Sequence, residues 1–137
     1  MINLGLFYGR QGETETALTH LNQAKDLADT LGESRLQARV HLELGEIYRR
    51  SGRVEAANRA YQKGLAISEG LMETELRWQM YYGMGQLWEA QGDDERAYFS
   101  YRAAINLIEE IRRLALVEEL KAAVVQKRFD AYQAMIG

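Results

Sequence analysis

The chain repeats itself every 40 residues, and this period constrains its fold more than any other feature. Leu4, Leu44 and Met84 share a column, followed by Gly5, Gly45 and Gly85, then Tyr8, Tyr48 and Trp88, then Gly12, Gly52 and Gly92. The second half of the period keeps the same register. Ala17, Ala57 and Ala97 lead to Leu21, Tyr61 and Tyr101, then to Ala24, Gly64 and Ala104, Leu27, Ile67 and Leu107, and finally Leu31, Leu71 and Ile111. A fixed period of this length marks stacked copies of one supersecondary unit, each too small to bury its own apolar face.

Within a period, apolar residues recur at helical spacing, and one glycine interrupts them. In the middle copy the first helix is expected from Glu33 to Arg50. Gly52 stops it in the left-handed geometry that ends helices cheaply, and the second helix runs from Val54 to Leu71. Gly45 and Gly64 lie inside these helices, where glycine costs about 1 kcal/mol relative to alanine. Close packing explains them: a helix without a side chain at Gly45 approaches its partner, Ala57 and Gly64 thin the facing helix, and Tyr48 and Tyr61 fill the space between.

Composition agrees. The chain has no proline and no cysteine among 137 residues, which favours long helices and leaves no disulfide, thiolate metal site or cysteine nucleophile. The formal charge of −3 is spread along the chain without a basic block, so neither nucleic acid nor an anionic membrane is expected as a partner. No apolar run approaches the roughly 20 residues of a membrane span, and Met1-Ile2-Asn3 is no secretion signal, so a soluble cytoplasmic protein is the default expectation.

The Leu-Gly pair, the following aromatic, the turn glycine and the Ala, aromatic, Ala pattern of the second helix resemble the tetratricopeptide repeat (TPR). Two departures stand out. The period is 40 rather than about 34 residues, and the proline that commonly closes the family's second helix is replaced by Asp29, Glu69 and Glu109. Longer helices are expected from both. The resemblance implies an all-α superhelix, a TPR solenoid of three helical hairpins plus a C-terminal helix in a single domain. Its boundaries are 1–32 for the first repeat, 33–72 for the second, 73–113 for the third and 114–137 for a capping helix. Met1 shares a column with His41 and Tyr81, so the first repeat begins inside its first helix. That points to a fragment, or to an N-terminal end that frays or dimerises.

In the tail, Val117, Leu120, Val124, Ala131 and Met135 form one apolar stripe and Val125, Phe129, Tyr132 and Ile136 a second. Two stripes imply two neighbours: the third repeat, and another domain or a second copy meeting Val125, Phe129, Tyr132 and Ile136. The run Leu87 to Ile136 also resembles the last repeat and capping helix ahead of the caspase-like CHAT protease domain of bacterial proteins. The residues that carry this resemblance are Ile108 to Arg112, Glu118 to Lys121 and Lys127 to Tyr132. The Cys-His pair of such a protease would lie outside these cysteine-free residues.

Little in the sequence points to catalysis, a cofactor or a metal. His20 and His41 sit at helix-packing positions without the i, i+4 spacing of a helical zinc pair. Gly83 and Gly85 lack the preceding strand of a phosphate loop and read as packing positions, as do Trp78, Tyr81, Tyr82 and Trp88. Asp93, Asp94 and Glu95 read as a helix start. The family resemblance implies instead a concave groove lined by first helices, holding a peptide or protein partner. Its inward positions become Ile2, Leu6 and Arg10, then Arg39, Leu42, Glu46, Arg49 and Arg50, then Gln79, Tyr82, Gln86 and Glu89. Arg39, Arg49 and Arg50 around Leu42 and Tyr82 would suit an acidic segment with an apolar anchor. They could equally pair with Glu43, Glu46 and Glu89 as a solvated face. The asparagine and lysine clamp by which some members hold free C-termini is not matched, since Glu43, Glu46 and Arg39 stand there. The expected function is a non-enzymatic protein-binding module, part of a larger bacterial regulatory or CHAT-protease-type protein. The alternative is a scaffold that oligomerises through its ends and C-terminal helix.

Overall fold

The computed structural model of the protein describes residues 2–136, with side chains described from Gly12 to Ile136. Five helices follow one another: α1 Ile2–Leu31, α2 Ser34–Arg50, α3 Val54–Leu71, α4 Thr74–Ala90 and α5 Asp94–Ile136. Helices α2 and α3 form the hairpin expected of the middle repeat, and α4 and the first half of α5 form the next. Each helix packs on its sequence neighbour, and α2 also touches α4, which produces the stacking of a helical repeat.

The turns share one chemistry. Beyond α2 and α4, Gly52 and Gly92 take φ of +78° and +77°, a left-handed geometry that costs other residues energy. The backbone N–H of the residue just after the turn position then returns to a carbonyl five residues back. Arg53 donates to Tyr48 at 2.9 Å and Asp93 to Trp88 at 2.9 Å, and Glu33 and Glu73 do the same to Ala28 and Ser68. Asp93 also accepts from the Arg96 N–H at 3.1 Å, capping α5 as the acidic run predicts.

Met72 takes this role after α3 with φ of +56°, although it is not glycine. Its side chain is 85% exposed and packs little. Met72→Gly is therefore expected to stabilise the chain by about 0.5–1 kcal/mol, read as a raised urea midpoint, because it relieves a strained backbone at little packing cost.

The core runs through the middle of the stack. Ala38, Leu42, Ala57, Tyr61, Leu65, Leu76, Met80, Met84 and Leu87 form its larger part, and Leu18, Val40, Leu44 and Ala60 a second cluster toward α1. Tyr61 and Met80 are fully buried. Glycines make room for them. A Cβ on Gly45 would lie 2.6 Å from the Tyr61 ring, one on Gly83 2.5 Å from its hydroxyl, and one on Gly64 2.6 Å from Met80. In the following repeat, Gly85 stands against Tyr101 as Gly45 stands against Tyr61.

The expected all-α repeat stands, but its two ends differ from the expected layout. Instead of a first hairpin turning at Gly12, α1 runs unbroken through that residue. A glycine permits a turn, but only burial against a returning helix makes one worthwhile. At the other end there is no separate helix at 114–137. Position 112, where Gly32 and Met72 turned the chain, is Arg112, and α5 continues through this strongly helix-forming run to Ile136. Its buried residues stop at Leu107. The tail therefore does not pack on the third repeat as expected, and among residues 112–136 only Val117 is even partly buried.

His41 is 7% exposed, on α2 facing α1 and α3. Burial, reinforced by Lys25 and Lys63 and opposed by Asp29, holds its pKa below 6.5. The unfolded chain then takes up the proton more readily than the folded one. Stability conferred by the neutral ring is expected to fall as pH drops through 6.5 toward the lower folded value. Thermal midpoints followed over this range should lose part of their pH dependence in His41→Gln.

Candidate functional site

An open cleft of about 450 Å3 lies between α2 and α4. Helix α2 contributes Leu42, Glu43, Glu46, Arg49 and Arg50, and α4 contributes Trp78, Gln79, Tyr82 and Gln86. Spacings of three and four bring these side chains to one face of each helix. The structure thus brings together seven of the expected groove positions: Leu42, Glu46, Arg49, Arg50, Gln79, Tyr82 and Gln86. Arg39 and Glu89 do not line the cleft. The expected positions Ile2, Leu6 and Arg10 lie outside the described side chains.

The floor of the cleft is a fixed polar network over the core. The Tyr61 hydroxyl, reaching up from α3, donates to Glu46 Oε1 at 2.6 Å, and Arg49 Nη2 donates to Glu46 Oε2 at 2.6 Å. Arg49 Nε also donates to the Tyr61 oxygen at 3.3 Å. Burial and the bond to Glu46 push the Tyr61 phenol well above its ordinary pKa. Burial works against the Arg49 charge, but its bonds to Glu46 and Tyr61 outweigh burial and hold its pKa above the ordinary value.

Arg49 is therefore committed to the protein, and the expected cluster of three arginines does not assemble. Arg39 points 3.9 Å from Glu43. Arg50, 3.7 Å from Glu46 and 69% exposed, is the cation the cleft presents. With Glu43 and Glu46 against Arg49 and Arg50, the lining carries no net charge, so a purely acidic ligand has no electrostatic advantage there.

Aromatic surface is the cleft's other resource. Trp78 and Tyr82 meet edge to face at 6.5 Å, and Tyr82 lies 5.7 Å from Tyr101. Tyr82 is 47% exposed. The Tyr101 hydroxyl donates to Glu89, and desolvation with this bond raises its pKa to about 12. The four aromatics expected in the core divide: Tyr81 and Trp88 pack against it, whereas Trp78 and Tyr82 line the cleft. Trp78 was missed as a cleft residue, although its position four residues ahead of Tyr82 places both on one face. Gly83 and Gly85 lie inside α4 against Tyr61 and Tyr101, as packing requires.

His20 is exposed on α1. Among the described residues no group of three or more His, Cys, Asp or Glu could hold a metal ion. No helix among them is long and apolar enough to cross a membrane.

Comparison with curated proteins and with solved structures found no match. A family model described as Tetratricopeptide repeat matches residues 1–70, more than half of the chain. The matched region ends as α3 closes, and the columns of that region recur through α4 and α5 with the same glycine and tyrosine contacts. By sequence match and by fold, the chain belongs to the tetratricopeptide repeat family.

Proposed function

We propose that the chain is a protein-interaction module that holds an extended peptide or a helix in the cleft between α2 and α4. Repeats of this family are generally protein–protein interaction modules. The observation that carries the finer reading is the pairing of aromatic lining, partly buried Trp78 and exposed Tyr82, with a presented cation at Arg50 in one open cleft. Such a surface suits a segment with an apolar or aromatic anchor and a nearby carboxylate. Of the cleft's two carboxylates, Glu46 is already bonded to Tyr61 and Arg49 and Glu43 lies beside Arg39, which supports a binding role without catalysis. The resemblance of Leu87 to Ile136 to the segment ahead of CHAT proteases supports a place in a larger bacterial protein whose adjoining effector the module regulates.

A displayed random-peptide library selected on the intact chain tests this reading. Selected peptides are expected to lose about tenfold or more in affinity for Tyr82→Ala and for Arg50→Glu. They should bind Arg96→Glu unchanged, because Arg96 stacks on Trp88 in a separate cleft. Equal binding to all three variants would overturn it.

A second reading, assembly through the ends and tail, is favoured by exposed apolar surface. Leu65 is buried in the cluster that α4 joins, whereas Ile105, its equivalent one repeat later, is 50% exposed. Beyond it, Val125, Phe129, Tyr132 and Ile136 are all more than half exposed.

A further inference from the structure

Helix α5 buries Ala97, Ser100, Ala104 and Leu107 against α4. Steps of seven carry that face onward. Ala97 and Ala104 lead to Ile111, Glu118, Val125 and Tyr132, and Ser100 and Leu107 lead to Leu114, Lys121, Arg128 and Met135. A strict repeat of seven drifts by about 20° per heptad on a straight helix, so this stripe leaves the α4-covered face gradually and runs through the second half of α5, where no described element covers it. Leu114, Val125, Phe129, Tyr132, Met135 and Ile136 stand 51–85% exposed along it. Alternating steps of three and four form the seam by which one helix packs on another in a coiled coil.

We infer that residues 111–136 pair antiparallel with the same segment of a second copy, Leu114 facing the partner's Tyr132 and Glu118 facing the partner's Arg128. The inference rests on the assembly reading and gives it a partner and a register.

Charge selects both the partner and the direction. Residues 109–120 carry four glutamates and two arginines, a net −2, whereas 121–136 carry Lys121, Lys127 and Arg128 against Asp130, a net +2. Antiparallel pairing lays each half on its opposite. Parallel pairing would oppose Glu118, Lys121 and Arg128 to their own copies, three like-charge layers inside the seam.

In the antiparallel register Ile111 faces the partner's Met135, and Lys121 faces the partner's Val125. Lys121 has a long apolar stem and now lies 3.5 Å from Glu118 of its own chain, an exposed pair that is free to reorganise. The partner's Ile136 falls against Glu110, close to where α4 begins to cover the same face.

Size is adequate. The segment is about 39 Å long at 1.5 Å per residue, and two such faces bury on the order of 1,200 Å2 in total, where specific interfaces begin. Propensity keeps this segment helical, but most helix stability in proteins comes from tertiary packing, and pairing supplies the contact that its apolar face lacks.

The test uses the full chain. Sedimentation equilibrium from micromolar to millimolar concentration should show a species of twice the 15.7 kDa chain mass. Phe129→Glu should raise its dissociation constant by about 100-fold. Glu118→Arg and Arg128→Glu should each weaken the dimer, and the double variant should restore it. Loss through tail unfolding would show no such rescue.

Because the chain has no cysteine, introduced thiols report direction. Mixed Leu114→Cys and Tyr132→Cys chains should oxidise to a heterodisulfide. A chain that stays monomeric at every concentration overturns both the pairing and self-assembly as a reading. A dimer that cross-links Tyr132→Cys to itself, or one that the double charge swap does not rescue, overturns the pairing proposed here and leaves self-assembly standing.

Discussion

Tyr61→Ala is expected to destabilise the fold by about 4 kcal/mol, the cost of emptying a fully buried aromatic site. Tyr61 has no exposed surface and reaches from α3 to both first helices. Its ring rests against Gly45 of α2 and Gly83 of α4, and its hydroxyl holds Glu46 and Arg49. The alanine variant therefore opens a cavity between two repeats and leaves a half-buried carboxylate without one of its donors. Against the roughly 5–15 kcal/mol that holds a domain of this size together, this brings the chain close to unfolding. Tyr61→Phe removes only the hydroxyl and should cost about 1 kcal/mol. Urea unfolding followed by far-UV circular dichroism checks both. An alanine variant within about 1 kcal/mol of the parent, below the usual range for such sites, would show that Tyr61 does not join the repeats.

The complementary substitutions put atoms where Tyr61 already stands. Gly45→Ala and Gly83→Ala should each destabilise by about 2 kcal/mol, although alanine is the better helix former by about 1 kcal/mol. The added carbon would lie 2.6 Å from the ring at Gly45 and 2.5 Å from the hydroxyl at Gly83, where Glu46 Oε1 is also only 2.8 Å away. The ring cannot retreat from one helix without meeting the other. Gly70 supplies the control: it lies in α3 with nothing within 4 Å of an added Cβ, so Gly70→Ala should instead stabilise by roughly 0.5–1 kcal/mol. Combining Gly83→Ala with Tyr61→Phe should cost less than the sum of the two, since the phenylalanine removes the atom the methyl strikes. Chemical denaturation of the four variants reads these signs directly.

These contacts explain why the middle repeat was legible and the ends were not. The boundaries of α2 and α3 fall within one residue of those expected from glycine and tyrosine columns, because the signals that set them are local: apolar spacing, a turn glycine and its returning hydrogen bonds. Gly12 carries the same local signal as Gly52 yet lies inside a helix, since closing a hairpin depends on a partner surface and not on the glycine alone. Position 112 shows the same dependence in reverse: with Arg112 where Gly32 and Met72 turn the chain, α5 continues. In the cleft, helical spacing placed Leu42, Glu46 and Arg50 on one stripe of α2, and the family resemblance set Tyr82 of α4 beside them. It could not show that Arg49 is tied up by Tyr61, which reaches it from another helix twelve residues further on. Trp78 was hidden by a general rule, because aromatic residues at helical spacing are more often core than surface. The apolar stripes of the tail were visible in sequence, and the structure adds that α5 leaves them uncovered.

The cleft between α2 and α4 is the central claim, and its most direct measurement is a titration of the isotope-labelled chain with the tightest peptide selected on it, followed by amide and tryptophan indole NMR signals. Binding there should move the signals of Leu42, Glu46, Trp78, Tyr82 and Gln86 and leave those of Asn58 and Arg96, which line the separate cleft beside α3, in place. Shifts confined to Asn58, Trp88 and Arg96, or to the tail beyond Leu114, with Trp78 and Tyr82 unmoved, would contradict the account.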